Sequence, residues 1–99
     1  MAELLRTEPA RVVAEFEMHL EAARRPELRT IHAQWEGKAM EYFTAGMKAI
    51  GSRKAAADAA IVLAVLTGLE IGEIVNPTAN AERELLAPLL RRLLHALVP

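Results

Sequence analysis

The stretch that decides the fold runs from residue 26 to residue 50 and reads PELRTIHAQWEGKAMEYFTAGMKAI. One set of mostly apolar residues recurs at helical spacing and lies within about a third of the helix circumference. These residues are Leu28, Ile31, His32, Trp35, Ala39, Tyr42, Phe43, Gly46, Met47 and Ile50. The pattern predicts an amphipathic helix over 26–50. Gly51 closes it and Ser52 caps the next helix, since glycine is favoured after a helix end and serine at a helix start.

A shorter amphipathic helix is predicted before this stretch. Thr7 is a suitable N-cap, and Pro9 suits the first turn of a helix. The apolar face of this helix consists of Val12, Val13, Phe16, Leu20 and Ala23. Arg24 suits a helix C-terminus because its charge opposes the helix dipole. Pro26 then prevents simple continuation, so that two separate helices are expected.

The third predicted helix runs from about residue 53 to residue 75 and differs in character. Its centre, residues 59–66, reads AAIVLAVL and is apolar on all sides, so it must be covered all round. Small residues recur at every fourth position: Ala56, Ala60, Ala64, Gly68 and Gly72. Such a row allows another helix backbone to approach closely. Pro77 ends the helix, because the residue before a proline disfavours helical geometry.

The last predicted helix begins at the N-cap Asn80 and carries two leucines per turn. Its leucines are Leu85, Leu86, Leu89, Leu90, Leu93, Leu94 and Leu97. One edge of this wide stripe can pack on its own chain while the other meets a second chain. Pro88 lies within the run and predicts a kink or a late start.

These elements together predict an all-α fold, an antiparallel bundle of about four helices in a single domain over residues 1–99. Dimerisation is expected through the last two helices. The predicted interface residues are Ala60, Ala64, Gly68, Gly72, Leu86, Leu90, Leu93, Leu94 and Leu97.

Composition supports association and excludes several classes of function. Hydrophobic residues make up 53% of the chain and the mean hydropathy is +0.14, more than one small core hides, so a homodimer or a ligand is expected. A net charge of −1 without a basic stripe predicts no direct nucleic-acid binding. The absence of cysteine fits the cytoplasm. Residues 59–69 are about half of the ~20 residues that a membrane span needs, and residues 1–6 are too short and charged for a signal peptide.

The aromatic face of the second helix predicts a pocket for a small apolar effector. The predicted lining residues are Phe16, His32, Trp35, Tyr42, Phe43, Met47, Leu66 and Glu70. The same face is also explained as ordinary core, with His32 bonded to a backbone carbonyl or a neighbouring acid. Glu70 and Glu73 share one side of the third helix and are interpreted as a solvated edge, with contact between Glu70 and an effector as the alternative.

Neither a metal site nor a catalytic site is expected. No two histidines are three or four residues apart, and no Glu-x-x-His pair is present. His19 and His95 are interpreted as surface residues. Thr44 and Thr67 have no evident base partner, as nucleophilic catalysis would require. The sequence therefore predicts a protein that is not an enzyme and needs no cofactor.

Three segments resemble the TetR family of transcriptional regulators. Residues 16–29, FEMHLEAARRPELR, followed by Trp35, are similar to the middle of that family's ligand-binding region. Residues 64–69, AVLTGL, resemble the penultimate helix, and residues 89–94, LLRRLL, resemble the last helix. The resemblance implies the C-terminal effector-binding and dimerisation domain. It also implies a homodimer joined by the last two helices of each subunit, and an effector cavity lined by the earlier helices and the inner face of the penultimate helix.

The chain departs from the family pattern at its start, where nothing before Thr7 could form the helix-turn-helix that reads DNA. Two explanations stay open: a fragment of a longer repressor, or a short protein that kept only dimerisation. A stand-alone helical interaction protein, without ligand or DNA-binding activity, is the alternative function.

Overall fold

The computed structural model describes residues 9–80 and 82–98, and none of these residues lies in a β-strand. Four α-helices follow one another: α1 (Pro9–Arg24), α2 (Pro26–Ala49), α3 (Ala55–Val75) and α4 (Ala87–Leu97). A π-helical segment, Glu82–Leu86, leads directly into α4. The all-α prediction is confirmed. The predicted N-cap Thr7 and residues 1–6 lie outside the described residues.

A compact corner joins α1 to α2. Arg25 is extended at the corner, and Pro26 occupies the first turn of α2, where its missing N–H costs nothing. The Arg29 guanidinium donates to the carbonyls of Ala22 and Ala23, at 3.2 and 2.8 Å. These are among the last carbonyls of α1, which have no partner within their own helix. Arg29 therefore fastens the end of α1 to the beginning of α2.

The turn between α2 and α3 follows from Gly51. Its φ of 97° lies in the left-handed region, which glycine adopts without steric cost. The N–H of Ser52 donates to the Met47 carbonyl at 2.9 Å, and that of Gly51 to the Lys48 carbonyl at 3.1 Å. This pair of bonds is the Schellman arrangement, so the predicted closure of α2 by Gly51 is confirmed.

The predicted cap at Ser52 is wrong. The helix begins at Ala55, with Lys54 in the N-cap position and no side-chain cap bond. Ser52 instead donates its hydroxyl to Asp58 at 2.6 Å and accepts the N–H of Lys54 at 3.3 Å. The Ser52 hydroxyl thus provides a hydrogen bond to the buried carboxylate of Asp58. A capping pattern in the sequence does not reveal this role.

The core lies where the second half of α2 meets the first half of α3. Its buried members are Met47, Ala55, Ala59, Val62 and Leu66. Partly buried residues pack against them, namely Met40 and Phe43 of α2 and Leu90, Leu93, Leu94, Leu97 and Val98 at the end of the chain. Ala59 is completely buried, because its small side chain lets the neighbouring helices approach closely. Burying a side chain such as Leu66 stabilises the fold by roughly 1.5–3 kcal/mol.

Glu73 and Asn80 shape the connection from α3 to α4. The Glu73 carboxylate accepts the Thr78 N–H at 2.9 Å and holds the loop against the helix. Asn80 has a positive φ of 56°, which asparagine tolerates better than most residues. Its carbonyl accepts the N–H groups of Arg83 and Glu84 at 3.1 and 2.9 Å. Pro88 lies in the first turn of α4, so its predicted late start is confirmed.

Helix α3 is long and apolar enough to cross a membrane, judged by length and composition alone. It spans 21 residues, about twice the apolar window read from the sequence. Three carboxylates on it, Asp58, Glu70 and Glu73, are buried within the described part of the fold. Packing against α2 and α4 and polar burial of this kind are typical of the central helix of a globular domain.

Candidate functional site

A cleft of about 780 Å³ opens between α1, the first half of α2 and the second half of α3. From α1 it is lined by Val13, Glu15, Phe16, Glu17, Met18, His19 and Leu20, and from α2 by His32, Trp35, Glu36 and Ala39. From α3 it is lined by Leu63, Thr67, Glu70, Ile71, Ile74 and Val75. This volume falls within the usual range for small-molecule sites, and the mix of many apolar and few polar groups is typical of them.

Four of the eight predicted ligand residues line this cleft: Phe16, His32, Trp35 and Glu70. The others lie elsewhere. Phe43, Met47 and Leu66 belong to the core, and Tyr42 is 76% exposed beside Phe43. For the three residues on α2, the reason is the length of that helix. At a rise of 1.5 Å per residue, Trp35 and Met47 lie about 18 Å apart along its axis. One continuous helix face therefore serves the cleft at one end and the core at the other.

Glu70 is the buried carboxylate of the cleft. Only 8% of it is exposed, and burial raises the pKa of its carboxyl, with the negative charge of Glu15 on α1 raising it further. The interpretation of Glu70 and Glu73 as a solvated edge is wrong, because both side chains are buried and the Glu73 carboxylate accepts the Thr78 N–H of the α3–α4 loop. A buried acid with a perturbed pKa in a cleft marks a candidate binding residue.

The lining of the cleft is acidic. Four carboxylates, Glu15, Glu17, Glu36 and Glu70, border it, and none of its described lining residues is lysine or arginine. At Glu70, burial first and the negative charge of Glu15 second disfavour the ionised carboxylate and raise its pKa. A cation or a hydrogen-bond donor in the cleft offsets this effect.

Two histidines and a glutamate meet at the rim of the cleft. His19 Nδ1 contacts His32 Nε2, and the two rings are edge to face with centroids 4.4 Å apart. Glu36 Oε1 lies 3.9 Å from His19 Nδ1 and 3.6 Å from His32 Nε2. His19 is exposed, as predicted, but spacing within one helix does not reveal its contact with His32, which lies on the next helix. One signal in the sequence does point to this cluster. His32 and Glu36 are four residues apart on one helix, and that helix directly follows the one that carries His19.

The comparison with known families agrees with this architecture. Residues 1–97 match the family model described as the tetracyclin repressor-like C-terminal domain. The chain belongs to the TetR-like C-terminal domain family. No curated protein and no solved structure matches the chain. Members of this family are soluble and generally non-enzymatic, and such domains usually dimerise and bind small-molecule effectors.

The residues predicted for the TetR-like dimer interface fall into two groups. On α3, Ala60, Ala64, Gly68 and Gly72 are exposed, and nothing lies within 4 Å of a Cβ placed on either glycine. On the last helix, Leu86 is only 4% exposed, while Leu90, Leu93, Leu94 and Leu97 are half-buried against their own chain's core. The small residues of α3 thus form an open row, whereas these leucines are already engaged within the described chain.

Proposed function

We propose that this chain is the effector-binding and dimerisation module of a TetR-like transcriptional regulator acting in the cytoplasm. The observation that carries the proposal is the cleft of about 780 Å³ bordered by α1, α2 and α3, with Glu70 buried in its wall. Family membership supports a regulatory domain of this kind. The absence of cysteine fits a reducing compartment.

The effector has an apolar body and a cationic or hydrogen-bond-donating group. The apolar body of the effector packs against Phe16, Trp35 and Ile74, and both apolar surfaces are removed from water on binding. Glu70 offers a carboxylate whose ionisation is disfavoured by burial. A positive group on the effector stabilises the ionised form of this carboxylate in its solvent-poor surroundings. The class is therefore amphipathic cations, in preference to anions, which the acidic lining repels.

Dimerisation uses the exposed side of α3. Besides the row of small residues, that side carries the exposed Ile61. A second copy of the chain covers this apolar surface, and the absence of large side chains at Gly68 and Gly72 allows two helix backbones to come close. The half-buried leucines of α4 flank the contact.

The two activities are coupled because α3 takes part in both. Thr67 and Glu70 border the cleft, while Gly68 and Gly72 lie on the exposed side of the same helix. An effector that contacts α1 and α3 together favours one arrangement of these helices over another, and the shift passes to the partner through α3. The strength of this coupling equals the difference in effector affinity between the two arrangements.

The ligand experiment uses Trp35, the chain's single tryptophan, as its reporter. Tetraphenylphosphonium is titrated against the chain, with the neutral triphenylphosphine oxide as its uncharged counterpart. We expect saturable change in Trp35 fluorescence with the cation, weaker binding of the neutral compound, and a loss of that preference in Glu70→Gln. Equal affinity of both compounds for the wild type and the variant would reject the assigned role of Glu70.

The association experiment is light scattering over a concentration series. A molar mass near twice 10.9 kDa supports the dimer. A compact monomer at every concentration contradicts it. A dimer that binds no member of a diverse set of amphipathic cations would favour an interaction module without an effector.

A further inference from the structure

We propose that His19, His32 and Glu36 form a binding site for one divalent first-row transition-metal ion, of the class of Zn²⁺. The His19 side chain comes from α1, and the other two come from α2. One ligand atom from each residue lies within 4.8 Å of the other two. The metal site consists of these three side chains and does not depend on the proposed effector.

The geometry of the three groups suits a single ion. Zinc binds imidazole nitrogen at about 2.0–2.1 Å and carboxylate oxygen at about 2.0–2.2 Å, so tetrahedral ligands on one ion are roughly 3.3 Å apart. The Glu36 oxygen lies 3.6 Å from His32 Nε2 and 3.9 Å from His19 Nδ1, close to that spacing. His19 Nδ1 and His32 Nε2 contact each other, so an ion bound by both requires the two rings to move apart.

The chemistry of the donors selects the class of metal. Neutral imidazole is a strong ligand for zinc, copper, nickel and iron, whereas calcium and magnesium prefer oxygen alone. Two imidazoles with one carboxylate leave one or more positions of the ion for water, as in open zinc sites. All three residues border the cleft, so the remaining positions face its solvent.

The surroundings favour a cation and provide rigidity. Glu15 and Glu17 border the same cleft, and none of its described lining residues is lysine or arginine. The ligands are held on two helices that Arg29 fastens together through the carbonyls of Ala22 and Ala23. The relative position of the two helices is therefore set before an ion arrives, which lowers the ordering cost of binding.

The test is calorimetric titration of the complete chain, without a histidine tag and freed of metal, with Zn²⁺. We expect one ion per chain. Replacing a ligand, in His19→Ala, His32→Ala or Glu36→Gln, weakens binding by about tenfold or more, since even the removal of groups that only orient ligands costs about 10–100-fold. The matched controls are His95→Ala and Glu41→Gln, which change exposed residues outside the cluster and leave the affinity unchanged.

A second readout uses Co²⁺, whose visible absorption reports its coordination by nitrogen and oxygen. We expect a spectrum that Zn²⁺ abolishes by competition and that the three ligand variants lack while keeping the helical content and melting temperature of the metal-free wild type. The proposal is overturned by the absence of saturable Zn²⁺ binding, by unchanged affinity in the folded His32→Ala variant, or by an equal loss in His95→Ala.

Discussion

The two ends of α3 differ in what surrounds them. At its beginning, Ala55, Ala59 and Val62 are buried against α2 and are covered by the last residues of the chain. Towards its end, Thr67, Ile71 and Ile74 border a cleft that α1 and α2 leave open. The first region is packed as an interior, and the second is a concave wall of the same helix.

This difference comes from helix lengths and residue sizes. With 21 residues α3 is about 32 Å long, whereas the 11 residues of α4 reach about 16 Å. The last helix therefore covers only part of its neighbour, and its leucines pack against the core that contains Ala55 and Ala59. The same helix is therefore closed at its beginning and open to the cleft towards its end.

The largest expected effect is on the closed end. Leu66→Ala removes a buried side chain and leaves a cavity, so the free energy of unfolding should fall by about 2–5 kcal/mol. Ile74→Ala, on the cleft wall, should cost about 1 kcal/mol or less, because solvent already reaches that side chain. Urea unfolding at one fixed protein concentration measures both. Equal losses in the two variants would show that the cleft end is packed as tightly as the core.

The next effect concerns the exposed row on α3. Gly68→Leu should raise the dissociation constant of the proposed dimer at least about tenfold, equivalent to ~1.4 kcal/mol, because a large side chain separates the two backbones. The monomer should stay folded, since nothing lies within 4 Å of the new Cβ.

Gly37→Leu is the matched control for this dimer prediction. Gly37 is exposed on α2 and equally free of neighbours, so the substitution brings the same gain of about 0.5–1 kcal/mol in helix propensity without entering the interface. Sedimentation or light scattering compares the two variants. A Gly68→Leu chain that associates like Gly37→Leu would exclude this side of α3 from the dimer.

A smaller effect on the free energy of unfolding is expected at the corner between α1 and α2, two of the helices that border the cleft. Arg29→Ala removes two hydrogen bonds to the carbonyls of Ala22 and Ala23. Because Arg29 is exposed, we expect a loss of about 1 kcal/mol in unfolding free energy, below the usual worth of charged hydrogen bonds. Hydrogen exchange should accelerate in α1 more than in α4. Arg53→Ala, an exposed change outside any helix, should alter neither measurement.

The sequence predicted the helices of this fold well, because individual residues near each helix end determine where it begins or ends. Pro26 separates two helices, Gly51 ends one through its positive φ, and Pro88 sets where the last α-helix begins. Each signal acts within a few residues of itself. The apolar centre of α3 equally predicted a helix that others must cover.

The candidate site was predicted only in part, since burial depends on which helix lies opposite. Phe16, Trp35 and Glu70 line the cleft, but nothing in the period of α2 tells that Trp35 and Phe43 lie at opposite ends of one face. Glu70 is buried and is affected by the charge of Glu15 on α1, and neither property can be read from the pattern of α3 alone. The contact of His19 with His32 likewise arises from the α1–α2 corner.

The smallest expected effect on stability, and the one that most sharply separates the two ends, comes from Glu70→Gln. Burial and the charge of Glu15 raise the Glu70 pKa in the folded chain above its unfolded value of 4.5. Between those two values the folded state binds more protons than the unfolded state, so stability falls as pH rises through that window. At neutral pH the isosteric glutamine should therefore be the more stable variant, and below the unfolded pKa the two chains should converge.

Thermal unfolding from pH 4 to pH 8 measures this difference, with Glu41→Gln as the control because Glu41 is exposed on α2. The control should track the wild type across the whole range. If Glu70→Gln lowers stability at neutral pH instead, the carboxylate has a stabilising partner when ionised, and the cleft wall would be a satisfied structural contact. If it raises stability while weakening tetraphenylphosphonium binding, Glu70 trades folding free energy for affinity, as expected of a residue retained for binding.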